Sequence, residues 1–398
     1  MRLPDASWQR RDGMTALLRV LGGAEGDTRF VGGCVRDTLL GLPVSDVDLA
    51  TRLVPQAVLE RLKQARIKAV PTGLAHGTVT AIVAGSPVEV TTLRRDVSTD
   101  GRRATVAFSD DWREDAARRD FTINALSADP ETLAVFDYFG GEADLEARRV
   151  RFIGDPLTRI AEDHLRILRF FRFHARFGIG QPDGEGLDAC IARANDLMAL
   201  SRERIADELT KLLALPSPAA TVALMVERGV LRPVLPEIVD AAPLARLIGR
   251  EAEAGVAPEA VRRLAALLPK DPAVAGSVGA RLRLSKRAAK RLVSAAVPDD
   301  GTPPPILAYR IGAEEAVDRI LLGPRDPAMA KALEGWARPK LKLGGGDLIA
   351  MGLSAGPEVA RTLQAVERAW GEAGFPEEAE AQRALARAAV DQALRDRQ

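Results

Sequence analysis

Phe30-Val-Gly-Gly-Cys-Val-Arg-Asp-Thr-Leu-Leu-Gly-Leu-Pro-Val-Ser-Asp46-Val-Asp48-Leu-Ala-Thr51 is the stretch whose reading decides the fold. Residues i and i+2 of a strand project from one face. A strand over Asp46 to Thr51 therefore sets two carboxylates side by side and turns Val47 into the core. Two like charges held that close invite a divalent cation, and hard oxygen ligands suit magnesium, which fills its other positions with waters and substrate phosphates. Upstream, Gly32 and Gly33 close an apolar run, and Arg36 and Asp37 follow in what reads as the first turn of a helix. That arrangement lets backbone N–H groups and an arginine meet a phosphate chain. A lone Asp-x-Asp is commonly a solvated strand end and a lone Gly-Gly a turn. Together, in this order and this close, they imply nucleotidyl transfer.

The string Gly-Gly-Cys-Val-Arg-Asp-x-Leu-Leu-Gly, followed by Asp-x-Asp-x-Ala-Thr, resembles the first motif of the class II tRNA nucleotidyltransferase and bacterial poly(A) polymerase family. That family is part of the DNA polymerase beta-like nucleotidyltransferase superfamily. Arg118-Arg119-Asp120-Phe121-Thr122-Ile123-Asn124-Ala125-Leu126 resembles its second motif, and Glu162-Asp163-His164-Leu165-Arg166-Ile167-Leu168-Arg169 its nucleotide-selecting motif. The resemblance covers roughly the first half of the chain and ends near Leu215. The fold it implies is α+β. A polymerase beta-like head with a small mixed sheet and helices would span residues 1–140, a helical, nucleotide-selecting neck 141–215, and an all-α, tRNA-binding body and tail 216–398.

Composition agrees. A chain of 398 residues exceeds the usual single domain, so two or more modules are expected. Charged residues nearly cancel to a net +1, so an RNA-binding surface must come from local clustering. Aromatics at 4% argue against a base-stacking platform as the main mode of recognition. Cys34 and Cys190 have no neighbours at metal-ligand spacing, which fits a reduced cytoplasmic setting without disulfides or zinc. The charged N-terminus and the lack of any run of about twenty apolar residues point to a soluble protein with no membrane partner. His76, His164 and His174 are too scattered for a histidine-aspartate hydrolase site.

Strands are expected at Thr28–Val31, Asp46–Thr51, Thr78–Val83 and Val88–Leu93, where β-branched residues are mostly bounded by Gly, Pro or Ser. Helices are expected at Val35–Leu40 and at Pro55–Ala65, the latter opened by its proline. From about Pro156 onward the pattern is helical, punctuated by Pro and Gly. Alternation sets Glu89 on the face opposite Val88 and Val90, where a charge within an apolar run needs a partner or a metal. The resemblance implies that Glu89 is the third catalytic acid beside Asp46 and Asp48. It also implies that the polar stretch Asp96–Asp111 is a flexible loop over the site, where mobility serves nucleotide exchange. An arginine of the second motif would contact the triphosphate. Arg119 is favoured, although the sequence does not separate it from Arg118, and Asp120 could equally orient that arginine.

Between Arg148 and Arg176 arginines are dense, and Arg suits phosphate and base-edge recognition because it pairs planar polar groups bidentately. Charge-rich helices are usually solvated faces. This one also carries Ile167, Leu168, Phe170, Phe171, Phe173 and Phe177, so it is expected to be buried, its arginines in need of partners. Asp163 and Arg166, one turn apart on one helix face, can meet the edge of a single base. The carboxylate only accepts and the guanidinium only donates, which matches cytosine and adenine and leaves uracil and guanine unmatched. By the resemblance, Gly33 and Arg36 would cradle phosphates, and Arg169 and Arg172 would help fix the nucleotide. The sequence thus implies a magnesium-dependent, template-independent addition of CMP, CMP and AMP from CTP and ATP to the 3′ end of tRNA. Poly(A) synthesis and partial CC or A addition remain open, as does a non-catalytic tRNA-binding role.

Overall fold

The structure, a computed structural model, describes residues 1–100 and 103–396. Helix α1 (Met14–Val20) and strand β1 (Thr28–Val31) lead to α2 (Gly33–Leu39), β2 (Asp48–Thr51) and α3 (Pro55–Gln64). Strands β3 (Ala69–Gly73), β4 (Thr78–Val83) and β5 (Ser86–Thr92) follow. The strand expected over Asp46–Thr51 starts two residues later, yet burial keeps the alternation: Val47 and Leu49 are buried, Asp48 half-buried and Asp46 exposed. Ala84 and Gly85 both have positive φ, 48° and 80°, which supplies the tight turn between β4 and β5.

Next come β6 (Arg94–Asp100), β7 (Arg103–Phe108), α4 (Trp112–Ala117), β8 (Ser127–Ala128) and β9 (Val135–Phe136). Seven strands form one sheet in the order β3-β4-β5-β2-β1-β8-β9, antiparallel throughout except where β2 runs parallel to β5. A parallel pair needs a crossover connection, supplied here by α3, β3 and β4. The stretch expected to be a loop is a correction: β6 and β7 pair as an antiparallel hairpin from Arg94 against Phe108 to Asp100 against Arg103. Gly101 and Arg102, in the middle of the expected loop, lie outside the described residues.

Helices take over after Phe136: α5 (Gly141–Glu146), α6 (Pro156–Glu162), α7 (Arg166–Phe177), α8 (Gly184–Ala192), α9 (Arg202–Leu213) and α10 (Ala219–Glu227). Asp163 and Arg166 do not share a helix. Asp163 ends α6 with extended backbone, and α7 begins at Arg166. As expected, α7 is largely buried: Phe170 and Phe171 are 0% exposed. Phe121 stands 5.0 Å from Phe152 and 5.2 Å from Phe173, and Phe152 stacks on Phe170 at 5.5 Å. This aromatic layer fastens α7 to the segment that follows α4.

The chain divides into two compact units, Met1–Pro236 and Glu237–Gln398. Among its described residues the second unit contains helices and no strand, from Ala242–Ala254 to Ala379–Arg395. One of its cores is built on Leu247, Leu307 and Ile320, another on Leu348, Val366 and Val390. Glu251 is buried between Arg262 and Arg263, at 2.7 Å from each. Among the described residues no helix is long and apolar enough to cross a membrane.

Phe121→Ala removes a ring that contacts three others, so the expected loss of stability is about 3–5 kcal/mol, measured by urea unfolding. A loss below about 1 kcal/mol would show that the aromatic layer does not hold α7 in place.

Candidate active site

The parallel pairing of β2 and β5 sets Asp48 directly opposite Glu89. Registered partners on neighbouring strands present their side chains to the same face. Glu89 is exposed, so the desolvation argument made for it from sequence does not apply; what distinguishes it is its place beside Asp48. Burial, followed by the charges of Glu89 and Asp46, pushes the Asp48 carboxyl up to about 6, with Arg119 acting in opposition. Asp46 accepts a hydrogen bond from the Ser45 hydroxyl at 2.8 Å. Among the described residues no three His, Cys, Asp or Glu side chains are gathered to hold a metal by themselves.

Asp48 forms one wall of a cavity of about 400 Å³. Gly32 and Gly33 line it next, with Arg36 and Arg119. Gly32 has φ +69°, and a Cβ there would stand 3.0 Å from the Arg119 guanidinium, so both backbone and space favour glycine. Asp115 grips both arginines of the second motif, Arg118 at 2.8 Å and Arg119 at 3.2 Å, but only Arg119 lines the cavity. Although burial works to raise it, the Asp115 carboxyl is held below its ordinary range by these two guanidiniums.

Asp163, Arg166, Arg169 and Phe173 close the opposite side. Arg166 gives Nη1 to Glu162 and to the Arg159 carbonyl (2.8 Å), and Nη2 to the Arg118 carbonyl (3.2 Å). Its Nε–H has no partner among the described residues. Arg169 donates through Nε and Nη2 to Oδ2 of Asp120 at 2.7 and 2.5 Å. Arg172 stands apart from the cavity, its Nε on Glu208 at 2.6 Å. Asp46 and Glu89 do not line the cavity either; they flank Asp48 at its rim.

Two lining residues escaped the sequence reading in their actual roles. Asp120 orients Arg169 rather than its neighbours Arg118 and Arg119, which Asp115 holds. Asn124 accepts from Arg36 with its carbonyl oxygen and donates to Oδ1 of Asp120 at 2.9 Å, so one amide joins a cation to an anion. The Asp120-x-x-x-Asn124 spacing was the available signal. A second cavity, of about 490 Å³, lies between the N-terminal segment and Pro130, away from every residue named above.

Comparison with known proteins places these features in context. A model described as the Poly A polymerase head domain matches residues 28–151, and one described as a probable RNA and SrmB-binding site of polymerase A matches 183–241. The chain is 34% identical over 385 residues to mitochondrial CCA tRNA nucleotidyltransferase 1 of Mus musculus, covering 92% of this chain and 87% of that one. It is 40% identical over 202 residues to a CCA-adding enzyme of Geobacillus thermodenitrificans, covering 50% and 48%. Among solved structures, the Bacillus stearothermophilus CCA-adding enzyme in complex with CTP superposes with a TM-score of 0.69 at 26% identity, covering 94% of this chain and 96% of that one. A Thermotoga maritima CCA-adding enzyme complexed with tRNA shares the fold, with a TM-score of 0.68 at 18% identity and 100% of both chains covered.

Burial works to raise the Asp120 carboxyl, but Arg169, with hydrogen bonds from Asn124 and the Phe121 N–H, holds it below its ordinary range. A depressed carboxyl contributes stability that is present above its unfolded value, about 3.9, and lost as pH falls through its folded value. Asp120→Asn leaves Arg169 without its close partner and is expected to cost about 3 kcal/mol at pH 7. Urea unfolding at a series of pH values checks this: the gap between variant and parent narrows below about pH 4, and a gap independent of pH would mean the charge is not what matters.

Proposed function

The chain belongs to the class II CCA tRNA nucleotidyltransferase and poly(A) polymerase family, and on that footing we propose how its own residues divide the work. The protein is a nucleotidyltransferase that adds C, C and A to the 3′ end of tRNA, using CTP and ATP. The observation that carries the reading is the single cavity in which Asp48, the Gly32–Gly33 turn, Arg119, Asp163 and Arg166 converge. An acid, a phosphate cradle and a base-reading pair stand within one nucleotide-sized space.

Asp46 and Asp48 are the proposed magnesium ligands, and Glu89 completes the catalytic acids. The fit lies in the charge balance. Asp48 is half-buried beside two other acids with only Arg119 in opposition, an environment in which acids outnumber cations. Two carboxylates suffice for magnesium when nucleotide phosphates and waters supply the remaining oxygens. Of two ions bound there, one would activate the attacking 3′ hydroxyl and the other would neutralise the departing pyrophosphate. Gly33, Arg36 and Arg119 bind the triphosphate, and Arg169 holds the nucleotide from α7. Arg172 supports that helix through Glu208 and acts at one remove.

Base choice rests on Asp163 and Arg166. Asp163 accepts from the exocyclic amino group of cytosine or adenine, and the uncommitted Nε–H of Arg166 donates to the adjacent ring nitrogen. Uracil and guanine present a carbonyl to the carboxylate, leaving buried acceptors unpaired at a cost of about 1–3 kcal/mol. The division into head (1–140), neck (141–215) and tRNA-gripping body and tail (216–398) belongs to the same proposal, with RNA read mainly through shape and backbone. A reduced cytoplasmic setting suits the two buried free thiols.

Extension of tRNA lacking its CCA end provides the test. CTP alone is expected to add two nucleotides, and CTP with ATP three, then stop. Asp48→Ala is expected to abolish both additions while tRNA binding persists. Long tails from ATP alone would instead identify a poly(A) polymerase.

A further inference from the structure

Asp163 sits at a break between helices, φ −153° and ψ 106°, its carbonyl accepting from the Arg166 N–H at 3.0 Å as α7 begins. Two contacts hold its carboxylate. The Leu165 N–H donates to Oδ1 at 3.1 Å, and Nη2 of Arg204, on α9, donates to Oδ2 at 2.8 Å. Arg166, expected from sequence to be its neighbour in function, spends its Nη donors on Glu162 and on two backbone carbonyls. One turn further along α9, Glu208 takes Arg172 at 2.6 Å and Arg169 at 3.7 Å. Residues four apart share a helix face. That face of α9 therefore bears a cation and then an anion, opposite an anion and then two cations of the selecting segment.

We propose that Arg204 is a positioning residue for base selection: it fixes the plane of the Asp163 carboxylate, so that its free lone pairs demand an amino donor. The proposal rests on reading Asp163 as the selecting group. A carboxylate has about four acceptor sites. Leu165 and Arg204 occupy one on each oxygen, which removes the freedom to turn about the side-chain torsions and leaves a fixed pair of acceptors for the base. Without Arg204 the group can rotate or admit a water that bridges it to a carbonyl oxygen. Uracil then escapes most of the penalty that excludes it. Asp46, Asp48 and Glu89 are untouched by this change, so loss of selection separates from loss of chemistry.

Single-nucleotide addition to tRNA lacking its CCA end, with CTP and UTP compared by kcat/KM, tests the proposal. Arg204→Met keeps the length of the stem and removes the charge. It is expected to lower the CTP:UTP ratio roughly tenfold, partly through a higher KM for CTP. Arg204→Lys restores a cation without the planar fork, and its ratio should fall between the two. In an Asp163→Asn background, Arg204→Met should change the ratio no further, because the two residues act as one unit. A parental ratio in Arg204→Met, or an equal fall for both nucleotides that Lys does not relieve, overturns the proposal. Should Arg204→Met not fold, a parental ratio in Arg204→Lys overturns it as well. If the parent protein itself shows no preference for CTP over UTP, the reading of Asp163 fails first and the role of Arg204 falls with it.

Discussion

Asp120, buried within the second motif, meets Arg169 of α7 at 2.5 and 2.7 Å, and this ion pair joins the strand-built half of the site to its helix-built half. From Asp120 a chain of contacts runs through Asn124 to Arg36 and Asp37 in one direction. In the other it runs through Arg169 to Glu208 and Arg172. Ion pairs withdrawn from water gain little net stability, because desolvation offsets most of the attraction. The stability comes from the aromatic layer of Phe121, Phe152, Phe170 and Phe173, packed where burial of apolar surface is large. What the ionic chain contributes is orientation: it fixes how α7 faces the sheet.

Two aspartates in one cavity are driven in opposite directions. Asp48, buried beside Glu89 and Asp46, is pushed up, whereas Asp120, held by Arg169, is pushed down. The first has like charges that outnumber its one opposing cation, Arg119, and the second is closely paired with Arg169. Such divergence between neighbouring carboxyls is how one site assigns different roles to the same chemical group. It also explains how a chain of net charge +1 can serve a polyanionic substrate. Acids are gathered where β2 pairs with β5, arginines on α7 and the second motif.

Much of this was legible in the sequence where the signal is local. Asp46, Asp48, Gly32, Gly33 and Arg36 lie within one short segment, and their period and punctuation suffice. Glu89 was legible as a candidate, but its meaning depends on parallel register with Asp48, which β2 and β5 acquire only through a crossover. The helix break at Asp163 carries no Pro or Gly. It comes from the carboxylate catching the Leu165 N–H and from the distant Arg204, so periodicity ran through it. The hairpin of β6 and β7 was hidden by a polar, glycine-containing composition typical of loops. Nothing in the sequence singles out Arg204 or Glu208, because a helix sequence does not tell which charged face will meet another charged helix. In the second unit Arg262 and Arg263 look like surface residues, and only the structure shows them buried on Glu251.

We propose that one cavity holds the nucleotide, with its base edge on Asp163 and Arg166 and its triphosphate between the Gly32–Gly33 turn, Arg119 and Asp48. A crystal structure of the protein with CTP and magnesium tests it most directly. The cytosine amino group is expected within hydrogen-bonding distance of Asp163 and the metal on Asp48. A nucleotide bound elsewhere, or one whose base edge turns away from Asp163 while its phosphates occupy the cradle, would contradict it.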